Sequence, residues 1–488
     1  MKIPLDRQAK TPIYLQIRNR IGHLIHTGRL LPHAQLPSIR TLAHTVQVNK
    51  LTVLEAYSVL EADGLVRAKQ GAGYFINPPE ARVSAPQKPL LPSAFNPAQA
   101  VIIPTHSIND FPKIYAASLR SHTQPDCIDF GLGFPPPSGL EDLQRIARRA
   151  MKEAPTFFDL GHPQGDLNLR QHIAQILIQQ GLEVSCENLI VTSGSMQSLS
   201  LLVEYWVQPG DWVVVEAPTY HGFLSSLQQR GAQIIGIPMT PQGMNLDLLA
   251  QYLASHRPKL IYTMSTLHNP TGITTSVEHR QKLLALAAQY DCLVIEDNAY
   301  EPLSFDVTPP PIKAFDSQAQ VIYVGTFSKT LMPGLRVGYM AVTEHHRKAL
   351  TERKLLHDFH VSAASQAIVK EYLASGHYRR RLNHMRILHR ERRDIMLQGL
   401  SRYLPPAVTW TVPAGGTFLW LQLPDNFALS DICQAAAAQK VLVGSGAAFF
   451  PPQQGYPALR LNFALPAAET ERGLQILGNI LKSQAALQ

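Results

Sequence analysis

Seven prolines (Pro78, Pro79, Pro86, Pro89, Pro92, Pro97 and Pro104) fall within 27 consecutive positions of this chain. Proline lacks the backbone donor that helices and inner strands need, and it favours an extended backbone. One continuous core cannot run through such a stretch, which reads as a semi-rigid linker. The chain therefore divides into a head of residues 1–77, a linker of 78–105 and a body of 106–488.

Charge divides in the same way. Residues 1–80 hold ten Lys/Arg and five Asp/Glu, a surplus of +5, while the whole chain carries 44 − 36 = +8. A basic head on a nearly neutral body is the distribution expected of a nucleic-acid binder. Hydrophobic residues make up 45% and charged residues 16%, which excludes a disordered chain. The four cysteines, Cys127, Cys186, Cys292 and Cys433, form no CxxC or Cys/His cluster, so no metal site is expected. Sparse thiols fit a reducing cytoplasm. The start, MKIPLDRQAKTP, has no apolar signal-peptide core, and no apolar run reaches the roughly 18 residues of a membrane span. Neither secretion nor a membrane partner is expected.

The head reads as three helices and a hairpin. Ile13, Ile17, Ile21 and Leu24 share one helical face. Ser38 can cap a second helix with Ile39, Leu42, Ala43 and Val46 inward, and Asn49 a third with Val53, Ala56, Tyr57 and Leu60 inward. Two short β-prone runs then flank Gly71 and Gly73. This is the order of a winged helix–turn–helix, whose second motif helix enters the major groove by its N-terminal end. Asn49, Lys50 and Thr52 stand at that end, with side chains that can address adenine, guanine or phosphate. Arg40 is placed for a phosphate, and Gly71 and Gly73 allow close backbone approach at the wing.

The string Leu36-Pro37-Ser38-x-Arg40-x-Leu42-Ala43, then Val48-Asn49-Lys50-x-Thr52-Val53, Ala56-Tyr57-x-x-Leu60-Glu61, Gly64-Leu65 and Gly71-x-Gly73 resembles the GntR-type winged helix over about residues 10–77. The resemblance implies that Arg40, Asn49, Lys50 and Thr52 face DNA.

In the body, VVVEAP (213–218), KLIYTM (259–264), CLVIED (292–297) and QVIYVG (320–325) are continuous apolar runs separated by helical patterns such as 277–290. Strands covered on both faces read this way, so the body is α/β with a largely parallel sheet. Chemistry gathers after those strands. The small-residue turn in TSGSMQSL (192–199) offers the amides of Gly194, Ser195 and Met196 to an anion at a helix N-terminus. Asn269 stands in a turn, Asp297 ends a strand with Tyr300 three residues on, and Lys329 and Arg336 lie in GTFSKTLMPGLRVGY. Alone, each is commonplace. Together they supply what pyridoxal 5′-phosphate requires: a Schiff-base lysine (Lys329), an acid for the pyridinium nitrogen (Asp297), cationic and hydroxyl groups for the phosphate (Ser195, Ser328, Arg336), an aromatic face (Tyr220) and donors for the ring oxygen (Asn269, Tyr300).

From about residue 126 onward the body resembles fold type I aminotransferases of the kynurenine/aminoadipate kind. The resemblance implies that Lys329 is the catalytic lysine and Asp297 the partner of the ring nitrogen. It implies that Asn269 and Tyr300 bond the phenolic oxygen, Tyr220 stacks on the ring, and Gly194, Ser195, Met196, Thr326, Ser328 and Arg336 hold the phosphate. Arg460, in Leu459-Arg460-Leu461-Asn462-Phe463, matches the arginine that clamps a substrate carboxylate. Two positions depart from the family: Met196 stands where Gln is usual, and Leu160, in DLGHPQG, stands where a Tyr usually crosses the dimer to the phosphate. His162 is a candidate substitute.

A winged helix, a proline-rich linker and such a body together resemble the MocR/GabR family of bacterial regulators. The resemblance implies a homodimer on a double-stranded DNA operator, answering to a small amine or amino-acid effector or to the cofactor itself. Two alternatives stand beside it. One is an active aminotransferase, working on an amino acid and a 2-oxo acid, with an appended DNA-binding domain. The other is a body that serves only as a dimerisation scaffold.

Overall fold

The computed structural model describes residues 5, 13–26, 30, 33–63, 65–69, 73–77, 101–103, 127–133, 140–153, 157–451 and 454–486. The chain forms two compact units, Met1–Ser84 and Ala85–Gln488.

In the first unit, helices α1 (Ile13–His26), α2 (Ile39–Thr45) and α3 (Lys50–Ala62) precede an antiparallel hairpin of β1 (Val66–Lys69) and β2 (Gly73–Ile76). The caps follow the sequence. Ser38 Oγ accepts the Thr41 amide at 3.1 Å and Asn49 Oδ1 the Leu51 amide at 2.9 Å, each satisfying an amide that its helix leaves unpaired. Ile17 and Ile21 of α1 meet Val53, Ala56, Tyr57 and Leu60 of α3 in one small core closed by Val66 and Ile76 of the hairpin. Tyr57 keeps its hydroxyl bonded there by donating to the Pro37 carbonyl at 2.8 Å, which ties α3 to the start of α2. A core this small has little reserve, so Leu60→Ala, at roughly 2–5 kcal/mol, removes much of the head's stability.

The second unit holds the remaining strands. β3 (Val101–Ile103), β4 (Ile128–Asp129), β5 (Leu189–Thr192), β6 (Trp212–Ala217), β7 (Gln233–Thr240) and β8 (Gly243–Met244) come first. β9 (Leu260–Thr263), β10 (Leu293–Asp297), β11 (Val321–Thr326) and β12 (Gly338–Ala341) follow. Last come β13 (Thr409–Trp410), β14 (Phe418–Gln422), β15 (Val441–Leu442), β16 (Gly444–Ser445) and β17 (Ala458–Asn462). The large sheet runs β3-β7-β6-β9-β10-β11-β12-β5, with β8 beside β7. Its centre, β7-β6-β9-β10-β11, is parallel, and β12 and β5 close one side antiparallel. The four apolar runs of the sequence are β6, β9, β10 and β11, buried along almost their whole length because helices cover both faces.

Residues 101–103, at the end of the stretch read as linker, are the antiparallel edge strand beside β7. The rest of 78–105 lies outside the described residues. A smaller α/β layer has its own core around the antiparallel sheet β13-β14-β17-β16 and the helices His377–Tyr403 and Ala467–Ala486. Among the described residues no helix is long and apolar enough to cross a membrane.

Candidate functional site

Parallel strands end on one side of their sheet, which is where an open α/β sheet receives its ligand. Asp297 is the last residue of β10 and is 2% exposed. Tyr262 of β9 donates its hydroxyl to Asp297 Oδ2 at 2.8 Å, and the Ala299 amide reaches Oδ1 at 3.2 Å. Burial pushes this carboxyl up to about 6, against the pull of those two donors and of Lys329. Such an acid is suited to a ligand that brings its own cationic N–H.

Lys329 follows β11. Its Nζ donates to the Gly133 carbonyl at 2.9 Å and lies 5.4 Å from the centre of the Tyr300 ring. Burial first, then the positive charges of Arg460 and Arg336, bring its ammonium down to about 7, although Asp297 opposes them. A large share of the amine is therefore uncharged, and nucleophilic, at neutral pH.

Arg460, on β17, is 4% exposed. Its Nη1 donates to Asn269 Oδ1 at 2.9 Å and its Nη2 to the Gly131 carbonyl at 2.6 Å. The guanidinium lies 3.9 Å from the centre of the Phe418 ring and 4.7 Å from that of Phe449. Burial lowers it to about 10, and its Nε is buried with no hydrogen-bond partner among the described residues. A buried guanidinium held by carbonyls and ring faces, with no salt bridge to a carboxylate among the described residues, is suited to receive an anion. Lys329 and Arg460 converge: a Cβ at Gly133 would sit 3.7 Å from Lys329 Nζ and 4.0 Å from Arg460 Nη2.

A second cluster forms where β5 turns into the helix Ser195–Trp206. Gly194 has φ of 81°, and a Cβ there would meet Arg336 Nη2 at 2.5 Å, so only glycine lets the guanidinium press on the turn. Arg336 donates to the Ser193 carbonyl at 2.9 Å and its Nη1 reaches Ser328 Oγ at 3.4 Å; Thr326 Oγ1 donates to Ser328 Oγ at 3.1 Å. Ser195 and Met196 open the helix, where backbone amides lack partners within the helix itself. Gly194, Thr326, Ser328 and Arg336 are brought together at this turn, with Ser195 and Met196 next along the chain, and the group fits a phosphate.

Several contributors were not singled out from the sequence. Tyr262 sits in a run that reads as plain core, yet a buried tyrosine needs a partner for its hydroxyl, and that requirement was the available signal. Asp358 accepts from Ser193 Oγ at 3.1 Å and from Gln197 Nε2 at 2.8 Å, and is paired at 2.7 Å with the fully buried Lys354. Burial opposes ionisation of Asp358, but these donors hold it below the usual carboxylate range. His221, stacked on Phe449 at 5.0 Å, has its pKa pushed well below the ordinary histidine value by burial and then by Arg460 and Lys329. It adds a neutral imidazole rather than a charge. Met196, expected to offer only its backbone, also accepts the Tyr220 hydroxyl on its sulfur at 3.2 Å. Leu160 is 87% exposed, and His162 accepts the Gln164 amide on its own ring at 3.1 Å.

In the head, Arg40, Asn49, Lys50 and Gly73 are exposed and Thr52 is half-buried. The Asn49 oxygen is shared with the start of α3 through its cap. Gly73, at the start of β2, has φ of 96°, a conformation that favours glycine. Gly71 lies outside the described residues.

Residues 125–477 match the family described as aminotransferase class I and II. The chain belongs to that family. Residues 13–76 match bacterial regulatory proteins of the gntR family, so a GntR-type DNA-binding head is fused to an aminotransferase body, the MocR-type architecture. Among curated proteins, the body is 34% identical to aromatic-amino-acid aminotransferase 1 of Thermococcus litoralis, over 74% of this chain and 89% of that protein. An uncharacterised HTH-type transcriptional regulator of Bacillus subtilis, YisV, is 31% identical over 90% of both chains. Among solved structures, an archaeal alanine:glyoxylate aminotransferase matches with a TM-score of 0.73 and 32% identity, covering 78% of this chain and 96% of that one. Class I and II aminotransferases take pyridoxal 5′-phosphate as cofactor. The acid, amine and anion cradle of this MocR-type chain fit it.

Proposed function

We propose that this chain is a transcriptional regulator whose pyridoxal-phosphate site senses an amino-acid or other small amine effector. When bound, the cofactor supplies an aldehyde that condenses with a primary amine and a ring that withdraws electrons from the same carbon. Lys329 offers an uncharged amine near neutral pH, and an effector amine would compete for its place. Arg460 would receive the effector's carboxylate. Asp297 would hold the ring nitrogen's proton, and Tyr262 fixes that carboxylate. Asn269 and Tyr300 would bond the ring oxygen, Tyr220 would offer a ring face, and the Gly194–Met196 turn with Thr326, Ser328 and Arg336 would bind the phosphate.

The observation that carries the reading is the convergence of Lys329 and a buried Arg460 in a chain that also has a basic winged helix. The effector moves operator affinity only by binding the two states of the body unequally. The test is a DNA-binding titration of the full-length protein, with and without pyridoxal phosphate and a panel of amino acids. DNA affinity indifferent to every addition would overturn it.

A homodimer is part of the reading. Phe158, Leu160, Leu356 and Phe359 are all exposed, and a Cβ at Gly161 would lie 3.0 Å from His360 Nδ1, which brings the two segments together. This apolar patch borders Asp358 and therefore the phosphate turn, and a second copy covering it would bury that surface. The reading also makes the protein cytoplasmic, nucleoid-associated when operator-bound, and its four cysteines are free. The intact Lys329, Asp297 and Arg460 set supports turnover as a second reading. Conversion of an amino acid and a 2-oxo acid at an enzyme-like rate would favour it.

A further inference from the structure

The inward face of α3 is apolar, with Val53, Ala56, Tyr57 and Leu60 fully buried. Its outward face carries Leu51, 69% exposed, and Leu54, 40% exposed. Scattered exposed leucines need no explanation. These two are placed differently. They are the exposed large hydrophobics among the described residues of the head, and they stand three residues apart, so both occupy one face of one helix. That helix begins at the motif turn, where Val48 donates its amide to the Ala43 carbonyl at 3.0 Å. Exposed Lys50 immediately precedes the pair on α3, inside a head with a surplus of +5.

Positive charge selects a polyanion as the occupant of this face, but it gives the leucines nothing to bury against. In the major groove, the apolar feature of a base edge is the thymine C5-methyl. The start of the second motif helix is the part of a helix–turn–helix that reaches those edges. Three residues of α-helix advance about 4.5 Å, close to one base step of about 3.4 Å. We propose that Leu51 and Leu54 read thymine methyl groups on neighbouring base pairs of each operator half-site. The inference rests on the DNA-binding reading of the head and names the bases it prefers. Asn49 is less free for this task because its oxygen caps α3.

The experiment selects duplexes from a random-sequence pool with the full-length, cofactor-loaded protein, then remakes the tightest duplex with deoxyuridine in place of each thymidine in turn. Deoxyuridine pairs identically and lacks only the methyl. Loss of a contacted methyl is expected to weaken wild-type binding about fourfold, the worth of one buried carbon. Leu51→Ala is expected to weaken binding to the thymidine duplex by at least as much and to ignore the deoxyuridine exchange at its own position. Leu54→Ala is expected to do the same at the neighbouring position. Binding by the wild type that is unchanged at every deoxyuridine, or losses that are the same in wild type and variants, would overturn the proposal and leave the DNA-binding reading standing. Enrichment of no duplex at all would overturn that reading, and the proposal with it.

Discussion

The head exposes its functional groups to solvent, whereas the body buries them. In the head, apolar residues occupy one small core, and Arg40, Asn49 and Lys50 stand in solvent. In the body, Asp297 and Arg460 are buried, and burial is the largest influence on the proton affinities of both and of Lys329. A surface that reads a polyanion needs ordinary, fully charged side chains within reach. A site that binds an electrophilic ring needs an amine that is not fully charged and an acid that water does not screen. The difference makes the head's chemistry local in sequence and the body's chemistry a product of folding.

That contrast can be broken most sharply at Lys329. Lys329→Ala should abolish borohydride-fixed attachment of the cofactor, read by intact mass, while the head still binds DNA. Retained attachment would show that another amine does the work. Next comes pH. Because the amine must be uncharged to react, the rate of cofactor uptake by the apo protein should rise about tenfold per pH unit up to about 7 and flatten above it. An ordinary lysine would keep rising toward its unperturbed value of about 10.4. Asp297 opposes the downward shift, so Asp297→Asn should move the inflection to lower pH.

Arg460→Gln removes the buried cation without emptying its place. Effectors bearing a carboxylate should bind roughly ten- to a hundredfold more weakly, as expected for losing charge-assisted hydrogen bonds. Amines without a carboxylate should be nearly unaffected, and calorimetric titration separates the two. Asp358→Ala should loosen the phosphate turn by freeing Ser193 and Gln197, lowering cofactor affinity about tenfold by one charged hydrogen-bond group. Asp358→Asn should recover part of it, because its oxygen can still accept. The smallest effect belongs to the exposed head. Lys50→Ala should weaken DNA binding several-fold and lower the salt slope by about one, with the cofactor spectrum unchanged.

Much of this molecule was legible before folding. Ser38 and Asn49 act as the caps their types suggested, and the four apolar runs became the buried strands. Lys329 and Asp297 could be singled out because one follows and the other ends an apolar run, and Arg460 because it stands inside one in a matching string. Tyr262 and Asp358 could not, since their partners lie 35 and 161–165 positions away along the chain. The edge strand Val101–Ile103 was hidden by the prolines around it, because its pairing depends on β7 rather than on its own composition.

By itself, then, the order of residues determined two units, the winged-helix succession, the parallel sheet and the types of group at each strand end. These rest on local rules of capping, periodicity and backbone donors. Tertiary structure alone decided that Lys329 and Arg460 meet at Gly133, that Tyr262 holds Asp297, and that the amine and the acid shift toward neutrality. Those outcomes depend on how much water burial removes and on which distant charges remain nearby, and neither is a property of any segment alone.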